Sequence, residues 1–141
     1  MPLFGRSTQA AEPLDARLEA HLPEKAKDLR KILRKEGAAI LDVLAPGEEI
    51  TFICNSDCAY ATSVDMFAAI VVTDRRLLIV RKGRYQEFPI DEIRGVRKAM
   101  DTGCYKELVT VGFRAGNVNI HMSDAKQMWA LFGALGHEPA F

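Results

Sequence analysis

At 141 residues, 48% of them hydrophobic and 27% charged, the chain has the balance of one globular domain plus a modest extension, which excludes extensive disorder. Its 19 basic and 19 acidic residues cancel, and the halves are similar: 8 basic against 10 acidic up to Tyr60, then 11 against 9. Without an excess of positive charge, nucleic-acid binding is excluded as the working partner class.

No apolar run approaches the roughly 20 residues that cross a bilayer as a helix. The opening Met1-Pro-Leu-Phe-Gly-Arg6 carries neither the apolar core of an export signal nor the glycine that N-myristoylation uses. Cys54, Cys58 and Cys104 are an odd set that cannot pair completely within the chain. Reduced thiols and a cytoplasmic location are the expectation.

Along the chain, residues 1–13 lack periodicity and contain Pro2, Gly5 and Pro13, so a mobile tail is expected. A helical extension follows over 14–44. Its first, short helix (14–22) ends before Pro23, and that proline is placed to open the second helix over 24–44. In the second helix Ala26, Leu29, Ile32, Leu33, Ile40, Val43 and Leu44 share one face, opposite Lys27, Arg30, Lys31, Arg34 and Lys35. Gly37 predicts a kink, and Pro46-Gly47 ends the helix in a turn.

From 45 to 141 the period is mostly two. Strands are expected at 49–54, 67–73, 76–81, 85–88, 96–100, 107–114 and 117–122, then a helix capped by Ser123 that carries Met128, Trp129, Leu131, Phe132 and Leu135 and ends at Gly136. Val109, Val111 and Phe113 face Val118, Ile120 and Met122 across the last hairpin.

Three motifs stand out: Leu44-Ala-Pro-Gly-Glu-Glu-Ile50, Val72-Thr-Asp-Arg-Arg-Leu-Leu-Ile79 and Phe88-Pro-Ile-Asp-Glu-Ile93. With Trp129 on the last helix, they make the stretch from Leu41 to Leu135 resemble bacterial pleckstrin-homology-like (PH-like) domains of the YokE-like and GRAM-like kind. The resemblance implies an α+β fold: a PH-like barrel of about seven antiparallel strands, a C-terminal capping helix and an N-terminal helical extension. It implies a non-catalytic binding module without a cofactor. It does not select a ligand, since one fold hosts many functions.

Ala68-Ala-Ile-Val-Val72 and Leu77-Leu-Ile-Val80 are apolar at every position, whereas a barrel strand with one wet face alternates. Something must cover the outside of this hairpin: the N-terminal helix, a second copy, or another protein. The expected interface residues are Ile70, Val72, Leu78 and Val80. The expected binding residues are Lys27, Arg30, Lys31 and Arg34 on the helix and Arg75, Arg76, Arg81, Lys82 and Arg84 on the turns. Successive turns lie at opposite barrel ends, so these last five are not expected to converge. A groove near Trp129 is a second possibility.

The partner is expected to be a protein or a second copy, with an anionic membrane as the alternative. The helix carries a net of three positive charges over 24–36. At roughly 1 kcal/mol each, that falls short of even millimolar affinity. The segment 55–60, expected to be the first hairpin loop, holds one acid and no base, which argues against headgroup recognition. Cys54, Cys58, Cys104 and His121 lack the paired short spacing of a zinc site, and no nucleophile or acid–base motif is present, so metal and catalytic roles are both read as none.

Overall fold

The structure is a computed structural model that describes residues 14–23, 26–61, 64–101 and 106–136. The expected tail over 1–13 and Cys104 lie outside the described residues. Among the described residues two helices come first, α1 (Ala16–Glu19) and α2 (Lys27–Val43). The described residues then form nine strands: β1 (Ile50–Asn55), β2 (Cys58–Tyr60), β3 (Val64–Met66), β4 (Ala69–Thr73), β5 (Arg76–Arg81), β6 (Arg84–Pro89), β7 (Ile93–Asp101), β8 (Lys106–Phe113) and β9 (Gly116–Met122). Helix α3 (Ala125–Ala134) closes the order.

Strands pair as a four-stranded sheet, β1-β4-β5-β6, and a five-stranded sheet, β3-β2-β9-β8-β7, with every pair antiparallel. The two strands beyond the expected seven are β2, which starts inside the expected loop 55–60, and β3, which lies between that loop and the second expected strand. They continue β1 and β4 past a paired bend. Ser56 donates its N–H and its hydroxyl to the Ala68 carbonyl, and Phe67 N–H donates to the Asp57 carbonyl. One long hairpin thereby leaves the first sheet and joins the second at β9.

The barrel interior is aliphatic. Ile70, Val72, Leu77 and Ile79 from the first sheet meet Val96, Val109, Val111, Val118, Ile120 and Met122 from the second. Met128, Leu131, Phe132 and Leu135 of α3 plug one end. Asp124, rather than Ser123, caps that helix, because its carboxylate accepts from the N–H groups of Lys126 and Gln127.

A second core lies outside the barrel. Leu18 of α1 and Leu29, Leu33 and Ile40 of α2 pack on Ile53, Ala69, Val71, Leu78 and Val80. The hairpin that is apolar on both faces is thus covered by the chain's own helices. Helix α2 begins at Lys27, three residues later than expected, and Ala26 holds its N-cap position. It runs unbroken through Gly37, whose role is clearance: a Cβ there would meet Leu18 Cδ1 at 2.8 Å. By propensity alone Gly37→Ala would stabilise an α-helix by about 1 kcal/mol. Chemical denaturation is expected to show no such gain, since α1 must give way.

Polar groups fasten the cover. Arg30 pairs with Glu19 at 3.0 and 2.5 Å, linking α2 to α1. Buried Glu36 accepts from the N–H groups of Lys82 (2.8 Å) and Gly83 (3.1 Å), both at positive φ in the β5–β6 turn. At the far end of α2, Arg76 reaches the Val43 carbonyl at 2.9 Å and buried Glu48 at 2.6 and 2.9 Å.

Candidate binding face

The nine basic residues expected at a binding surface separate into two groups by what they touch. Arg30 and Arg76 are engaged within the fold, as above, and Arg76 also meets Glu87 at 2.6 Å. Arg75 reaches the Pro46 carbonyl at 3.4 Å. Arg81 faces Glu36 at 3.7 Å, and Arg84, largely in water, faces Asp65 at 3.8 Å. Lys27, Lys31, Arg34 and Lys82 have exposed side chains. Arg75 and Arg76 lie by the C-terminal end of α2, while Arg81 and Lys82 lie by Glu36 near its middle.

Ile70, Val72, Leu78 and Val80 do not form one outward row. The register pairs Ile70 with Ile79 and Val72 with Leu77, but Val71 with Leu78 and Ala69 with Val80. Directly opposed residues share a face, so Ile70 and Val72 point into the barrel and Leu78 and Val80 point under α2. All four are at most 1% exposed. A second copy or partner has no access to them in the folded chain.

The exposed apolar side chains lie elsewhere. Val64, Met66 and Phe67 are 63%, 52% and 53% exposed, clustered on the edge strand β3 and the bend that follows it. Asp65 between them points the other way, to Gln86 Nε2 at 2.8 Å. Phe67 adopts φ 55°, in the left-handed region that a bulky L-residue enters at a cost of about 1–2 kcal/mol. Its ring lines a surface cavity of about 370 Å³ together with Ile32, Lys31, Lys35, Glu36 and Arg81. An aromatic that is both strained and half in water is poorly explained by folding alone. Sequence reading missed this cluster because Asp65 interrupts it and a backbone φ leaves no mark on composition.

The remaining polar features have structural settings. Cys54 is wholly inside the barrel, where burial pushes its thiol well above the ordinary range. Cys58 lies in register with buried His121, whose Nε2 is 3.5 Å from the Tyr60 hydroxyl. Among the described residues no group of three His, Cys, Asp or Glu side chains is placed to hold a metal, and no helix is long and apolar enough to cross a membrane. Trp129, 40% exposed on α3, lies 5.7 Å from the Lys98 ammonium.

No protein-family model and no curated protein matches the sequence. Solved structures do resemble the fold. The C-terminal domain of an unknown protein from Leishmania infantum superposes with a TM-score of 0.53 at 14% identity, covering 70% of this chain and 92% of that one. The Vps36 N-terminal PH domain superposes with a TM-score of 0.51 at 19% identity, covering 67% and 83%. The fold is PH-like. At these identities the likeness establishes a PH-like α+β architecture, and any binding role has to come from this chain's own surface.

Proposed function

We propose that the chain is a cytoplasmic, non-catalytic binding module of the YokE-like and GRAM-like PH-like kind, working by contact with another protein. In this reading residues 45–141 are the PH-like domain, and residues 14–44 are its integral cover. The observation that carries the proposal is the exposed cluster Val64, Met66 and Phe67, set on an edge strand and ending in a strained aromatic. Exposed edge strands with apolar side chains offer both backbone hydrogen bonds and apolar area to a partner. The flanking cations Lys31 and Arg81 add charge at the rim, where it favours orientation and association rate more than affinity.

The membrane alternative is less well supported. The apolar stripe that α2 would insert is occupied by the barrel, and Arg30 on its basic face is engaged with Glu19. Self-association remains one form of protein contact, with the same cluster as its surface.

Met66→Asp tests the proposal. As a surface change it should alter stability by no more than about 0.5 kcal/mol. A protein that co-purifies with the wild-type chain from its own cells, or the self-associated form seen by light scattering, should fall about tenfold or more. Undiminished association would overturn the assignment of this face. Sedimentation with anionic vesicles, released by salt, would favour the membrane instead.

A further inference from the structure

Strands β3 and β4 run in line, separated by the bend at Phe67. Along β4 the chain is flanked on both sides, by β1 and by β5. At the Lys82-Gly83 turn β5 reverses into β6, while β3 runs on with β2 alone beside it. Among the described residues no strand takes the place that β5 vacates. The bond from Phe67 N–H to the Asp57 carbonyl, at 2.9 Å, fixes the phase of the β2–β3 ladder: Asp65 and Phe67 bond toward β2. Val64 and Met66 therefore turn their N–H and carbonyl groups to the vacant side. Their side chains, 63% and 52% exposed, share the outer face of the sheet with Tyr60 and Cys58, which they directly oppose. Asp65 points inward, toward Gln86 at 2.8 Å and Arg84 at 3.8 Å.

We infer that the vacant side of β3 receives an extended segment of another protein by strand addition, with apolar side chains at two alternate positions and no acid between them. The inference rests on the protein-binding reading above and names the partner's chemistry. Backbone pairing with Val64 and Met66 supplies affinity, and alternate side chains supply selectivity. The partner's two apolar residues fall beside Val64 and Met66 on the outer face, and the residue between them faces inward, opposite Asp65. An inward-pointing charge also guards an edge against its own copy. Two copies of β3 paired about Asp65 would set like charges opposite each other with Cα atoms about 4.5 Å apart. Pairing about Met66 stops at once, because Phe67 at φ 55° leaves the extended conformation. The edge thus suits a different chain better than a second copy.

The test pans the full chain against a displayed library of random dodecapeptides. Selected peptides are expected to carry apolar residues at alternate positions with no acid between them. N-methylation is then scanned along one selected peptide. Methyl groups on every second amide, those facing β3, should weaken binding about tenfold or more, while those on the intervening amides change it by no more than about twofold. On the protein side, Met66→Pro removes one outward N–H and leaves the β2 ladder whole, so it should fold and should bind about tenfold more weakly than Met66→Ala. An absence of selected peptides, an acid at the central position, or N-methylation that acts equally in both phases would overturn the inference, even should the proline variant fail to fold. A concentration-dependent dimer that Met66→Pro abolishes would give the edge to a second copy and also overturn it. Peptide binding that falls on Met66→Asp but is indifferent to N-methylation removes strand addition and leaves the contact face standing. A natural partner undiminished by Met66→Asp removes the face itself.

Discussion

A chain that begins at Leu41 is expected to aggregate or stay unfolded, while the full chain remains dispersed. The cut removes Leu18, Leu29, Leu33 and Ile40, each at most 2% exposed. It also bares the outward face of the first sheet: Ile53, Ala69, Val71, Leu78 and Val80. Burying one such aliphatic side chain fully is worth about 1.5–3 kcal/mol. Even after allowance for a partly collapsed unfolded chain, the total reaches roughly 10 kcal/mol, as large as the whole stability of a typical domain. The cut also frees the β5–β6 turn from Glu36. Light scattering at two concentrations reads the outcome. A dispersed, cooperatively folding truncated chain would show that the helices are dispensable.

Losing Arg76 should cost about 3–5 kcal/mol, the usual penalty for stranding one member of a buried ion pair. Glu48 is 7% exposed and accepts from Ala45 N–H, the Thr73 hydroxyl and two Arg76 nitrogens. Arg76→Leu leaves that carboxylate without its cation, whereas Glu48→Leu with Arg76→Leu should recover part of the loss. The same pairing predicts a pH dependence. Hydrogen bonding to the Arg76 guanidinium, first among the causes, holds the Glu48 pKa down to about 2, against an ordinary value of 4.5. A carboxyl depressed in the folded state stabilises above its unfolded pKa, and the contribution drains away as pH falls from about 4.5 toward 2. Its size is about 3 kcal/mol at neutral pH, at about 1.4 kcal/mol for each unit. Glu48→Gln should flatten the stability curve in that window. A curve unchanged by the substitution would place the acid sensitivity elsewhere.

Much of this architecture was legible in the residues. Alternation located β8 and β9 because their interior positions carry Val, Ile, Met or Phe at every second place. The run of apolar residues in β4 and β5 announced a sheet buried on both faces, and the apolar stripe of α2 is what covers it. Which of those residues faced inward was not legible, because a continuous apolar run erases the period that sets register. The bend at Ser56–Asp57 and Phe67–Ala68 hid β2 and β3, since Asn, Ser and Asp read as loop when their cross-strand partners lie some dozen residues away. The apparent kink residue, Gly37, owes its place to Leu18, a contact that no local window contains. The basic residues drew attention as a binding surface, yet Arg30 and Arg76 are the most firmly engaged of them. Charge type is visible in a sequence, and its partner is set by packing.

The exposed end of β3 is the centre of the functional account, and Phe67→Gly probes it most directly. Glycine relieves a left-handed φ worth about 1–2 kcal/mol. It gives up a half-buried ring worth about as much. The unfolding free energy should therefore change by no more than about 1 kcal/mol, while association with a protein partner falls about tenfold or more. A loss of 3 kcal/mol or more, in the range of a deleted core phenylalanine, with association intact, would mean that Phe67 serves the fold and that the contact face lies elsewhere.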